Sequence, residues 1–265
     1  MSTIIQTLAE LEVAHKPAAL CTVIRTSGST PRHSCSKMLV YPDGHIIGTV
    51  GGGELENRVR KEALLTLNDG KSRILSYNMT DPSRGDVGVC GGQVEVFVEP
   101  FLPPPKVVVI GGGHVGKAVA HLAKWLGFRV AISDDRPEFC TPEANQDGDE
   151  FYPCSMSELP LRLSITPNTY LILTTRGNSV DIPGLPALLE TPSGYIGVIG
   201  SKRRWSETVK GLNQLGISDD LLKRVHSPIG LGIGAETPEE IAVSIMAEVL
   251  MVKGRGSGQQ MKNPR

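Results

Sequence analysis

The stretch Lys106-Val-Val-Val-Ile-Gly-Gly-Gly-His-Val-Gly116 decides the fold of the second half of the chain. Its β-branched run is typical of a strand that is buried on both faces of a parallel sheet. Gly111, Gly113 and Gly116 then follow the G-x-G-x-x-G spacing with which a strand turns into the first helix of a Rossmann domain. The stretch therefore predicts a nucleotide-binding α/β domain that begins with this strand.

Each glycine of this turn has its own physical role in such a domain. Gly111 permits the tight turn, Gly113 lets the backbone approach a pyrophosphate, and Gly116 lets the helix pack closely on the strand. The helix then offers unpaired N–H groups and the positive end of its dipole to a phosphate. His114 either points toward a ligand or packs at the helix start, and Asp134 ends the next strand, where a carboxylate takes ribose hydroxyls. The alternative is a Rossmann domain that keeps this turn only for packing.

Strands and helices alternate through the rest of this half, which indicates a parallel sheet built from βαβ units. Arg176 and Arg203 each follow a predicted strand, at the carboxyl edge where such sheets bind ligands, and they are candidates for holding phosphate. Their alternative role is that of solvated charges at helix starts. Thr237 and Glu240 form a capping box at the last helix. The predicted strands are Arg129–Ser133, Tyr170–Thr174 and Tyr195–Ile199, and the predicted helices are Val115–Leu126, Arg203–Leu215 and Pro238–Val252.

The proline run Pro103–Pro105 separates this half from the first, because three prolines favour a stiff, extended connector. We expect a small mixed α+β domain over residues 1–102, the Rossmann-like domain over 106–253 and a disordered tail over 254–265. In the first domain, helical or alternating apolar residues predict two helices, Ile4–Leu11 and Leu55–Leu67, and four strands, Ala18–Arg25, Met38–Tyr41, Ile46–Val50 and Val94–Val98.

Glycine loops also mark the first domain, and they point to the binding of an anion or a pterin. Arg32 follows a proline and could present a planar fork of donors, although a surface salt bridge is the alternative. Cys90 precedes two glycines whose backbone N–H groups can stabilise a thiolate and so favour a soft metal; the alternative is an inert, buried thiol. The candidate residues of this half are Gly28, Arg32, Lys37, Gly51, Gly52, Gly53, Cys90, Gly91 and Gly92.

Composition excludes several classes of protein. Of 265 residues, 27 are Lys or Arg and 28 are Asp or Glu, so the net charge of −1 provides no field for a nucleic acid. Apolar runs reach only strand length, and the first residues do not have the pattern of a signal peptide, so we expect a cytoplasmic protein without a membrane span. The 5 cysteines form no Cys-x-x-Cys pair, which disfavours a disulfide framework or a zinc site.

Taken together, these motifs resemble the XdhC/CoxF family, accessory proteins of molybdenum hydroxylases such as xanthine dehydrogenase. The resemblance runs nearly end to end, and it implies an XdhC/CoxI-type domain followed by a Rossmann domain. It also implies that the chain binds molybdenum cofactor (molybdopterin), supports its sulfuration and hands it to the apo-hydroxylase. A cysteine desulfurase as a further partner and a homodimer are implied as well. The motifs are Gly28–Arg32, Lys37-Met38, Gly48–Glu56, Cys90–Gly92, Gly111–Gly116, Asp134–Glu138, Thr175–Gly177 with Asp181, Gly200–Arg204 and Ser227–Glu240.

The chain departs from the family pattern at three positions. Cys35 stands where the family often has glycine, Glu54 where many members have cysteine, and Asn178 where a histidine commonly follows Thr-Arg-Gly. Cys90 is therefore the best thiol candidate for contact with the metal or its sulfur. The resemblance leads us to expect a maturation factor that requires no catalytic step of its own.

Two other functions remain open on the sequence alone. The first is an NAD(P)-dependent oxidoreductase that uses the Gly111–Gly116 turn and Asp134, although the sequence offers no convincing acid–base pair. The second is a regulatory module in which dinucleotide binding controls docking on a partner.

Overall fold

The chain divides into two units, residues 1–103 and 104–265, inside the run of three prolines. The computed structural model describes residues 3–30, 33–80, 86–88 and 91–262. Among these residues, no helix is both long enough and apolar enough to cross a membrane.

The first unit is built on an antiparallel sheet. Its strands, β1 (Ala18–Ser27), β2 (Lys37–Val40), β3 (Ile46–Gly48), β4 (Arg73–Asn78) and β5 (Gln93–Phe101), lie in the order β3-β2-β1-β5-β4. Alternation along β1 sends successive side chains to opposite faces. Ala19, Cys21 and Val23 join the core under helix α2 (Gly53–Asp69), while Ala18 and Leu20 pack with helix α1 (Ile4–Val13). The predicted mixed α+β architecture is confirmed.

The second unit is built on a parallel sheet. Its strands are β6 (Lys106–Ile110), β7 (Arg129–Ser133), β8 (Glu150–Tyr152), β9 (Thr169–Leu173), β10 (Tyr195–Val198) and β11 (Val225–His226). Their order is β11-β10-β9-β6-β7-β8, so the chain builds outward from β6 in one direction and then returns to build from β9 in the other. This is the strand order of a Rossmann domain, and the predicted fold class is confirmed.

Helices cover both faces of the parallel sheet. They are α3 (His114–Trp125), α4 (Leu159–Arg162), α5 (Asn178–Leu189), α6 (Lys202–Gln214), α7 (Asp219–Leu222) and α8 (Pro238–Gly254). The apolar core on one face includes α3 and α8, and the core on the other includes α5 and α6. The predicted capping box of α8 is confirmed: Thr237 accepts the Glu240 N–H at 3.2 Å, and Glu240 accepts the Thr237 N–H at 3.1 Å.

The point where the strand order reverses lies between β6 and β9. In open α/β sheets, ligands bind in the crevice that opens outside the carboxyl ends of the strands at this position. The candidate ligand-binding loops are therefore those that follow β6, β7, β9 and β10.

Candidate functional site

The turn after β6 has the backbone geometry that the glycine spacing predicts. Gly111 has a φ of +113°, and a Cβ there would lie 2.7 Å from the Thr174 carbonyl oxygen. A Cβ on Gly116 would lie 2.0 Å from the Gly111 carbonyl oxygen. Both contacts are too short for any side chain, so these positions require glycine for packing alone. Gly113 differs, because a Cβ there would meet nothing within 4 Å.

The N-terminus of α3 opens onto this free space. Gly113 is its N-cap, and no described side chain caps the helix there. The first N–H groups of a helix have no intrahelical acceptor and favour an anion. His114, the first residue of the helix, is exposed. The turn thus offers backbone donors and room in front of them, which is what a phosphate requires.

Asp134 is held by the protein itself. The residue is 4 % exposed, and its carboxylate accepts the Gly112 N–H at 2.9 Å. It also accepts the backbone N–H of Arg136 and two guanidinium N–H groups of Arg136, all at 3.0 Å. Both carboxylate oxygens are therefore occupied, so Asp134 fixes the glycine turn in this structure and does not present a free acceptor to a ribose.

Asp135 and Arg176 form an ion pair at the mouth of the crevice. Two guanidinium N–H groups of Arg176 donate to the two oxygens of Asp135, each at 2.7 Å. Asp135 follows β7 and Arg176 follows β9, so the pair crosses the carboxyl end of β6, which lies between those strands. The hydrogen bonds from Arg176 hold the pKa of the Asp135 carboxyl below its ordinary value.

A small pocket lies at this crossing. Its lining includes Gly111, Ser133, Asp135, Cys154 and Arg176, and the space inside is about 20 Å³. That volume admits only one or two water molecules. Burial raises the pKa of the Cys154 thiol above its ordinary value, so the thiol is protonated at neutral pH. The pocket beneath the ion pair is therefore too small for a nucleotide or a pterin.

Arg204, in the first turn of α6, connects the segments that follow β9 and β10 through inward-facing hydrogen bonds. It donates to the Asp181 carboxylate at 2.6 Å and to the Thr175 hydroxyl at 2.7 Å, and Asp181 is fully buried. Arg203, the arginine predicted to hold phosphate, points the other way: its side chain is 90 % exposed and pairs with Glu207. Sequence reasoning did not separate these neighbours, because only the fold shows which one faces inward.

A second buried network holds the loop after β11. Glu248 accepts from the His226 ring at 2.9 Å, from the Tyr195 hydroxyl at 2.8 Å and from the Gly230 N–H at 2.6 Å. Burial acts to raise the pKa of Glu248, but these hydrogen bonds outweigh it and hold the pKa below its ordinary value. The network fixes the glycine-rich loop ahead of α8, and it was not predicted from the sequence.

The described candidate residues of the first unit lie toward one edge of its sheet. β1 ends, β2 begins, β3 ends and β5 begins at this edge, because all these pairings are antiparallel. Gly28 and Gly92 meet there: a Cβ on Gly28 would lie 2.9 Å from the Gly91 carbonyl oxygen, and one on Gly92 would lie 2.2 Å from that of Ser29. Lys37, half-buried, begins β2 opposite Thr22, inside β1 rather than at its end.

The triplet Gly51–Gly53 follows β3 and leads into α2. Its N-cap, Gly52, has a φ of +75°, and no described side chain caps this helix. A Cβ on Gly52 or Gly53 would meet nothing within 4 Å. The first unit therefore also presents an uncapped helix start behind glycines.

Two predicted residues, Arg32 and Cys90, lie outside the described residues. Among the described residues, no group of three His, Cys, Asp or Glu side chains is placed to hold a metal ion. The four described cysteines, Cys21, Cys35, Cys140 and Cys154, are free thiols, and only Cys35 among them is exposed.

Comparison with known families gives two matches in chain order. Residues 12–78 match the XdhC and CoxI family, and residues 107–249 match the XdhC Rossmann domain. A crystal structure described as a xanthine dehydrogenase from Bacillus halodurans shares the fold, with a TM-score of 0.52, 21% identity and 98% of each chain covered.

Three relatives in sequence carry names. The uncharacterized protein YqeB of Escherichia coli (strain K12) is 36% identical over 97% of this chain and 47% of its own length. A probable xanthine dehydrogenase subunit from Bacillus subtilis (strain 168) is 29% identical over 60% and 46%. The molybdenum cofactor insertion chaperone PaoD of Escherichia coli (strain K12) is 23% identical over 95% and 88%. The chain spans about half the length of the first two.

Proposed function

The chain belongs to the XdhC family, since its Rossmann match alone covers more than half of its length, and from this we propose that it binds molybdenum cofactor and delivers it to an apo molybdenum hydroxylase. The observation that carries the proposal is the open glycine turn at the reversal of strand order, in a chain aligned over 95% of its length with a relative named as a molybdenum cofactor insertion chaperone.

The residues at the turn fit the phosphate of a molybdopterin. Gly113 leaves space in front of the uncapped start of α3, and Arg176 carries the two parallel donors that match a phosphate. The pterin ring does not fit the pocket of about 20 Å³, so it enters this pocket only if the loops after β7 and β9 separate. The cofactor, when bound, supplies the molybdenum and its sulfur chemistry, while this chain binds, orients and releases it.

The geometry argues against the alternative of an NAD(P)-dependent oxidoreductase. A dinucleotide domain of this type recognises ribose hydroxyls through the carboxylate that ends the second strand. The residue in that position, Asp134, is 4 % exposed, and its carboxylate already accepts four hydrogen bonds from Gly112 and Arg136.

Several finer points of the proposal depend on residues or partners beyond the described structure. We propose Cys90 as the thiol that meets the metal or its sulfur, and Arg32 as an anion contact. The same proposal has three further parts: a cysteine desulfurase helps to sulfurate the cofactor, the client is a hydroxylase of the xanthine dehydrogenase type, and the chain forms a homodimer. An alanine at Cys90 tests the thiol: retention of cofactor and transfer equal to the wild type would return it to a structural role.

The experiment that tests the function measures the cargo directly. The full chain is purified from cells that make the cofactor, and molybdenum and oxidised pterin are quantified per chain. We expect both in the wild type, with most lost from Gly113→Val, whose side chain enters the open space without a clash. Gly254→Val is the matched control, because a Cβ at the end of α8 also meets nothing within 4 Å, and it retains the cargo.

Delivery is then read by adding the loaded chain to an apo molybdenum hydroxylase and following the recovery of its activity. A wild-type chain without molybdenum or pterin, purified from cells whose own hydroxylase is fully loaded, would contradict the proposal.

A further inference from the structure

The Asp135–Arg176 ion pair lies where a ligand's phosphate would arrive. It spans the loops after β7 and β9, directly above the end of β6, and together with Gly111 it lines the pocket. Both side chains are accessible, at 37 % exposure for Asp135 and 49 % for Arg176. They can therefore separate without disturbing the buried core.

The Arg176 guanidinium has hydrogen-bond donors in the geometry that a phosphate requires, and in this structure they bind Asp135. Two parallel N–H groups at 2.7 Å bind the two carboxylate oxygens of Asp135, and the same fork matches two oxygens of a phosphate. A phosphate near neutral pH carries about −1.5 to −2 charges, against −1 for the carboxylate. At an accessible site a phosphate is thus able to replace the carboxylate, whereas an uncharged group is not.

We propose that Arg176 is the phosphate-binding residue of the crevice, and that Asp135 occupies its phosphate subsite until a phosphorylated ligand displaces it. The inference rests on the proposed function only for the identity of the natural ligand. Exchange of partners on Arg176 opens the crossing over β6, selects phosphorylated ligands over their unphosphorylated forms, and returns to the closed pair when the ligand leaves. Re-formation of the pair favours release, which a carrier needs.

The neighbouring acid makes this exchange specific to Asp135. Asp134 cannot take its place on Arg176, because Gly112 and Arg136 occupy both Asp134 oxygens. A single substitution at Asp135 therefore frees the Arg176 guanidinium and leaves the glycine turn intact.

The test measures binding of inorganic pyrophosphate and ADP, with adenosine as the unphosphorylated probe, by calorimetry on the cofactor-free full chain. If the pair is closed in about nine molecules of ten, Asp135→Asn tightens pyrophosphate and ADP binding by about tenfold, because the competent state is no longer a minor one. Arg176→Gln weakens both by a similar factor. Asp220→Asn, which removes the exposed pair of Asp220 with Lys223, is the matched control and changes neither.

Failure here is distinguishable from failure of the carrier function. Equal or weaker pyrophosphate binding by Asp135→Asn, or no pyrophosphate binding by any variant, overturns the inference, and molybdenum and pterin in the wild type then still support the carrier. The predicted order of affinities in a chain that never acquires molybdenum cofactor would sustain the inference and refute the carrier. Adenosine binding as tight as ADP binding also overturns it.

Discussion

Cys35 adopts a backbone conformation that suits glycine better. Its φ is +70°, in the left-handed region, and the residue is exposed. A side chain in that region costs roughly 1–2 kcal/mol, of which the greater freedom of an unfolded glycine cancels about 0.5–1 kcal/mol. The family resemblance places glycine at this position, and the structure supplies the physical reason.

We expect Cys35→Gly to raise the free energy of unfolding by about 1 kcal/mol, measured by urea denaturation. Ser34→Gly, one residue earlier, is the control. Ser34 does not have a positive φ, so glycine there gives no gain and lowers the stability slightly. Equal shifts for both variants would show that strain at Cys35 is not the cause.

Individual residues of the site could be predicted only where the backbone conformation requires one residue type. Gly111 and Gly116 were correctly assigned from their spacing, because a tight strand-to-helix turn excludes side chains whatever the rest of the chain does. The role of Asp135 was missed, since its partner Arg176 lies 41 residues away and nothing in the sequence joins them. Asp134 was expected to face a ligand, but the fold commits it to the turn.

At the scale of the elements, one ion pair between Arg204 and the buried Asp181 holds together the segments that follow β9 and β10. Asp181 is fully buried, and the Arg204 side chain that binds it is 22 % exposed. Removing one partner of such a pair leaves a charge without compensation, which costs roughly 3–5 kcal/mol.

We expect Asp181→Asn to lower the free energy of unfolding by about 3 kcal/mol, at the low end of that range because water still reaches Arg204. Arg203→Gln is the comparison: its side chain is 90 % exposed, and its loss shifts stability by no more than about 0.5 kcal/mol. Urea denaturation of both variants is the measurement. Similar losses for the two would mean that Arg204 is not anchored as described.

The elements that sequence reasoning found are those with a strong pattern. β7 was predicted to the residue, β6 to within one residue, and α3, α6 and α8 to within a residue or two at each end. β4 was missed, because its side chains are only partly buried or exposed, and Ile74 is among the exposed ones. α5 was missed because it contains Pro183 and Pro186, and β11 because two residues carry no period. In each case tertiary packing, which the local sequence does not encode, completes the element.

At the scale of the whole molecule, each unit has its own sheet and its own apolar cores. The clusters around β1 and β5 are drawn from the first unit, and those on the two faces of the parallel sheet are drawn from the second. A domain with a separate core can fold alone, and boundaries between domains commonly fall in stiff, proline-rich connectors. The cores of this protein meet that condition on both sides of the proline run.

We therefore expect residues 104–265, expressed alone, to fold and to unfold in one cooperative transition. The groups that form the phosphate site of the crevice, Arg176 with its partner Asp135 and the turn after β6, lie in this piece. Its affinity for pyrophosphate should then match that of the full chain within about threefold, with circular dichroism and calorimetry as the measurements. A folded piece that binds pyrophosphate at least tenfold more weakly would show that the first unit contributes to the phosphate site. The piece need not capture molybdenum cofactor, because the candidate thiol Cys90 belongs to the first unit.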